Sequence, residues 1–87
     1  MQQIPRFRRG FRFQWEPAQN CFVLLYPEGM VRLNASAAAI LGAIDGHRDL
    51  TAIIASLQQQ FPDVPELEAD VRGFLEEAGR RHWIEWV

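Results

Sequence analysis

The hydrophobic period of this sequence changes once, at Asn34, and that change limits what the chain can fold into. From Phe11 to Leu33, aromatic and β-branched residues recur with the period of two that belongs to strands. Beyond Asn34, apolar residues recur at helical spacings. Strands first and helices second make an α+β chain, read here as a winged-helix-like domain: a three-stranded antiparallel sheet followed by three helices. With 87 residues there is room for one hydrophobic core, so residues 1–87 are a single domain.

The first strand is expected over Phe11–Trp15, with Phe11, Phe13 and Trp15 on one face and Arg12 and Gln14 on the other. The loop Glu16–Asn20 turns the chain into Cys21–Tyr26, which is apolar on both faces and therefore central and covered on both sides. Pro27-Glu28-Gly29 is a tight turn, since proline presets one turn position and glycine allows positive φ at another. It leads into a third strand, Met30–Leu33, short and ending directly on a helix cap. Residues 1–9 are expected to be a flexible N-terminal arm.

Asn34 is the N-cap of a helix over Ala35–Ile44, closed by Asp45-Gly46. Asp49 caps a second helix from Leu50 to about Gln60, where Leu50, Ile53, Ile54 and Leu57 form one stripe and Pro62 stops the run. Pro65 is expected at the first position of a third helix reaching Arg81, with Leu67, Val71, Phe74, Leu75 and Ala78 on its apolar face. Trp83–Val87 alternates in type and either adds a strand or packs on the core as an aromatic tail.

Charge narrows the function. Four of the nine arginines fall in the first twelve residues, lysine is absent, and Asp63–Glu77 holds six acids against Arg72 alone. In a winged-helix DNA-binding regulator, the alternative reading, the third helix would face phosphates; here it carries Glu66, Glu68, Asp70, Glu76 and Glu77, and repulsion argues against nucleic acid. His47 and His82 stand apart from one another and from the lone Cys21, so no metal site, catalytic constellation or cofactor loop is expected. Cys21, inside an apolar strand, is expected to be a buried and inert thiol. The longest apolar stretch, Ala35–Ile44, is about half a membrane span, and the N-terminus lacks the pattern of a signal peptide, so a cytoplasmic protein without membrane attachment is expected.

Peptide binding is better supported. A three-stranded sheet in so small a chain exposes an edge, whose unpaired backbone groups accept another strand. If the third helix packs beside Met30–Leu33, the groove between them is floored by Val31, Leu33, Leu67, Val71 and Phe74 and rimmed by Arg32, Glu66 and Asp70. The same edge can pair with a second copy, leaving a monomer and a strand-exchanged homodimer both open.

The run LLYPEGMVRLN from Leu24 to Asn34, the AAAIL of the first helix, Asp45-Gly46, and Asp70-Val71-x-x-Phe74-Leu75 together resemble the PqqD family of pyrroloquinoline quinone biosynthesis. The resemblance covers about Pro5 to Ile84. It implies a non-catalytic peptide-recognition domain that binds the precursor peptide PqqA and presents it to PqqE, a radical S-adenosylmethionine enzyme joining a glutamate to a tyrosine of that peptide. It further implies that the peptide adds as a strand beside the third strand and lies on the third helix. On this chain the positions are Met30, Val31, Arg32 and Leu33, with Leu67, Asp70, Val71, Phe74 and Leu75. Many relatives carry glycine where this chain has His82, a residue less tolerant of a left-handed cap.

Overall fold

The computed structural model describes residues 3–87. In chain order the elements are β1 Pro5–Phe7, β2 Arg12–Glu16, β3 Cys21–Tyr26, β4 Gly29–Arg32, α1 Ala35–Gly42, α2 Leu50–Gln60, α3 Leu67–Arg80 and β5 Ile84–Trp86. The expected three-stranded antiparallel sheet is present in the order β2-β3-β4, and the expected three helices follow it.

Register sorts the side chains of this sheet onto two faces. Phe13 lies opposite Leu24, Leu24 opposite Val31, and Trp15 opposite Phe22, so these residues share the face turned to the helices. Leu24 is fully buried there, packed in one core with Leu41, Ile53, Leu57, Val71, Leu75 and Ile84. An aromatic ladder continues across this face, with ring centroids 6.3 Å apart for Phe7 and Phe13, 4.9 Å for Phe13 and Phe22, and 5.2 Å for Phe22 and Trp15. The other face carries Arg12, Gln14, Cys21, Val23, Leu25, Met30 and Arg32. None of these belongs to the core cluster, although Val23 is fully buried. Its neighbours across the sheet, Gln14 and Arg32, have aliphatic stems long enough to cover it. Cys21, expected to be buried, is only half-buried because it opens β3 at the rim of the sheet.

Local signals set most helix ends. The Asn34 carboxamide oxygen accepts the Ala37 N–H at 2.8 Å, and the Asp49 carboxylate accepts that of Ala52 at 2.9 Å. Helix α1 ends at Gly42, two residues short of the expected Ile44, because the Ala43 and Ile44 N–H groups bond three residues back, to Ile40 and Leu41, and tighten the last turn. Asp45 then turns the chain: it accepts the backbone N–H groups of Arg48 and His47, both at 2.8 Å. These bonds, with the Arg48 guanidinium, lower its carboxyl from 3.8 to about 2.

Helix α3 begins at Leu67 instead of Pro65. Glu66 is the cap residue with φ of 58°, a left-handed conformation through which a right-handed helix cannot propagate, so Pro65 lies outside. The other end lies at Arg80, one residue short of the expected Arg81, which is the cap residue. Trp83 N–H bonds to Ala78 carbonyl and His82 N–H to Gly79 carbonyl, the pair of bonds of a Schellman stop, with His82 at φ of 63° in the place usually given to glycine.

The N-terminal segment is a correction to the sequence reading. Met1 and Gln2 of the expected arm lie outside the described residues, but Pro5–Phe7 pairs antiparallel with β5, Arg6 opposite Glu85. Pro5 is fully buried, and the Arg6 side chain donates to Glu85 at 2.7 Å. The Gln3 carbonyl accepts the Leu50 N–H, satisfying a donor at the start of α2. An arginine-rich segment is therefore pinned by its backbone, while the arginines face water. Of the two options for Trp83–Val87, the strand is realised. Trp86 sits so close to α3 that a Cβ at Gly79 would meet its indole nitrogen at 3.3 Å.

Replacing His82 with glycine removes the left-handed strain at the end of α3. Urea unfolding of His82→Gly is expected to show a gain of about 1 kcal/mol over the parent chain. An unchanged or lower stability would mean that the His82 side chain contributes more than the strain costs.

Candidate functional site

The pairing of β3 with β4 has a phase, and the phase identifies the free backbone groups. Leu33 N–H bonds to the Phe22 carbonyl, so Leu33 points its main-chain groups at β3. In an antiparallel ladder this orientation recurs every second residue. Val31, opposite Leu24, therefore also bonds inward, whereas the N–H and C=O groups of Met30 and Arg32 point to the outer side of β4. Among the described residues, no strand occupies that side. The sheet has a second edge, β2, but only β4 runs straight through Leu33 and Asn34 into a helix.

Beside that junction lies an apolar cleft of about 210 Å³ between the first turns of α1 and α3. Ala35, Ala39 and Ile40 form one wall, Leu67 and Val71 another, and Phe61 and Val64 close the end. Asp70 and Ser36 are its polar lining residues. Phe61 and Val64 are each more than two-fifths exposed, which is unusual for large apolar residues flanking a proline loop.

The nine residues expected from the sequence divide into three groups. Leu33, Val71 and Leu75 are buried in the core. Val31, Leu67 and Phe74 are half-buried at its margin. Met30, Arg32 and Asp70 are exposed, and the register sets Met30 and Arg32 on the face away from the helices. The cleft brings together Leu67, Asp70 and Val71 but is walled by α1, whereas the sequence reading placed its floor against β4. The cause is connectivity: with one residue, Asn34, capping the helix directly after Leu33, the first turn of α1 stands at the end of β4 and supplies the wall. Ala35, Ala39, Ile40, Phe61 and Val64 were not anticipated. The available signal was the pair of large apolar residues around Pro62, outside any helical stripe.

Charge around this region is uneven. Glu77 has its carboxyl lowered by hydrogen bonds from Arg81 and Arg80, and both arginines are thereby engaged. Glu68 pairs with Arg72, and Glu85 with Arg6. Among the described residues, Arg9, Arg12 and Arg32 have no carboxylate within 4.0 Å. Among the described residues, too, no three histidine, cysteine or acidic side chains gather where they could hold a metal ion.

A family model for Coenzyme PQQ synthesis protein D (PqqD) matches residues 21–84, from the first residue of β3 to the first of β5. The chain belongs to the PqqD family. Among its relatives, a protein of Azotobacter vinelandii named PqqA binding protein is 64% identical over 85 residues, spanning 98% of this chain and 92% of the relative. A Pseudomonas aeruginosa protein of the same name is 56% identical over 85 residues, with the same coverage. The solution structure of the PqqD part of Methylobacterium extorquens PqqCD superposes with a TM-score of 0.74 at 31% identity, covering 94% of this chain and 88% of that one. That protein is described as a functional, stand-alone recognition element for ribosomally synthesized and post-translationally modified peptides.

Burial separates scaffold from surface within the candidate site. Val71→Ala is expected to cost about 2 kcal/mol and Leu75→Ala about 3 kcal/mol in urea unfolding. Phe61→Ser, at a position 41% exposed, is expected to cost less than about 1 kcal/mol. Equal losses at Phe61 and Val71 would show that the cleft lip is part of the core.

Proposed function

We propose that this protein is a non-catalytic peptide chaperone of pyrroloquinoline quinone biosynthesis, working in the cytoplasm, that binds the precursor peptide PqqA and presents it to the radical S-adenosylmethionine enzyme PqqE. The observation that carries the reading is the open edge of β4 beside an apolar cleft, in a chain 64% identical to a protein named PqqA binding protein. The peptide adds as a strand, hydrogen-bonded to Met30 and Arg32, with its inward side chains towards Val31 and Leu33. It continues over α3, where Leu67, Asp70, Val71, Phe74 and Leu75 were singled out by the sequence. Of these, Leu67 and Phe74 offer accessible apolar surface, while Val71 and Leu75 hold α3 in place from within the core.

Main-chain pairing suits a carrier. Each backbone hydrogen bond contributes only about 1 kcal/mol net, so a few bonds and one or two apolar anchors hold a peptide without trapping it. An edge pairs with one strand at a time, so PqqA and a second copy of this chain compete for β4. The acids exposed on α3 disfavour DNA at the same surface.

The test is an NMR titration of labelled protein with synthetic PqqA and, separately, with duplex DNA. Peptide is expected to shift the amides of Met30 to Leu33 and of the first two turns of α3, and DNA to shift nothing at physiological salt. Salt-sensitive shifts on DNA with no response to the peptide would overturn the reading.

A further inference from the structure

On β4, the residues that offer free main-chain groups also direct their side chains away from the helices. Met30 and Arg32 have N–H and C=O groups on the open edge and side chains on the outer face of the sheet. Across that face the rows run Arg12, Leu25, Met30 and Gln14, Val23, Arg32. A strand added at the edge lengthens both rows by one residue. In hydrogen-bonded antiparallel pairs the Cα atoms stand about 5.5 Å apart with side chains on the same face. One residue of the newcomer must therefore sit beside Arg32, and another, two positions along, beside Met30.

The chemistry of those two places differs. Among the described residues, six of the nine arginines already face a carboxylate: Arg6, Arg8, Arg48, Arg72, Arg80 and Arg81. Arg32 does not, and its neighbour in the row, Val23, is an aliphatic residue that cannot engage a guanidinium. Met30 is 40% exposed next to Leu25. Arginine keeps its charge at all relevant pH and binds carboxylates through a planar fork.

We propose that Arg32 is a specificity-determining residue that selects an acidic side chain on the outward face of the added peptide strand. The pattern read by β4 is then Asp or Glu beside Arg32, an apolar residue two positions away beside Met30, and between them an apolar residue turned inward to Val31. This rests on the peptide-recognition reading of the edge, and goes beyond it by fixing which peptide side chain is recognised from the outer face.

The experiment uses synthetic precursor peptides in which each Asp or Glu is replaced in turn by Lys, titrated by fluorescence anisotropy against the parent protein, Arg32→Glu and Arg12→Glu. Arg12 lies on the same face and is likewise without a carboxylate partner, but stands two strands from the edge. One Lys peptide is expected to lose roughly fivefold in affinity for the parent protein, to regain it with Arg32→Glu, and to show a smaller difference at high salt. No recovery is expected with Arg12→Glu. If the parent peptide shifts β4 but no Lys peptide recovers on Arg32→Glu, or Arg12→Glu rescues equally well, the acidic contact at Arg32 is refuted and the edge reading stands. If the peptide binds without changing Met30 to Leu33, both fall.

Discussion

The hydrogen-bond phase between β3 and β4 is the constraint on which the remaining geometry depends. Because Leu33 bonds inward to Phe22, Val31 and Leu33 turn their side chains to the helices, while Met30 and Arg32 leave their main-chain groups unpaired at the edge. A slip of one residue would carry Val31 out of contact with the core, bring Arg32 into it, and exchange bonded for free amides along the strand. Core packing thus fixes the open edge: the burial of Leu24 and Leu33 holds the register, and the register decides which two residues remain open.

The other side of the molecule is closed more thoroughly. Pairing of Pro5–Phe7 with Ile84–Trp86 ties the chain ends together and seats Ile84 in the core. The Schellman stop after α3 aims the chain back for that pairing, and the Arg81 guanidinium lies 5.8 Å from the centre of the Trp83 ring at the turn. Helix α3 is consequently held at its C-terminal end by β5 and left accessible at its N-terminal turns, where the cleft lies.

Much of this was legible because the signals were local. Asn34 and Asp49 announce helix starts through bonds three residues long, and the period-two alternation announces the sheet, although Cys21–Tyr26, expected to be covered on both sides, joins the helix-packed core by one face. Two things were not. The β1–β5 ribbon joins three-residue strands at opposite ends of the chain, too short for periodicity to reveal, and a run of arginines disguises a segment held by its backbone. The cleft escaped notice because its lip, Phe61 and Val64, belongs to no stripe, and because the left-handed Glu66 that starts α3 late leaves no mark on composition. The sequence pointed to an edge and a helix as the candidate site, and the division of their residues between core and surface required the register.

Backbone hydrogen exchange with and without the precursor peptide tests the central claim most directly. The amides of Met30 and Arg32 are free on the edge, whereas those of Val31 and Leu33 are already bonded to β3. Strand addition predicts slowed exchange at Met30 and Arg32 on saturation with peptide, with little further change at Val31 and Leu33. Saturating binding that leaves the exchange of Met30 and Arg32 unaltered would contradict it.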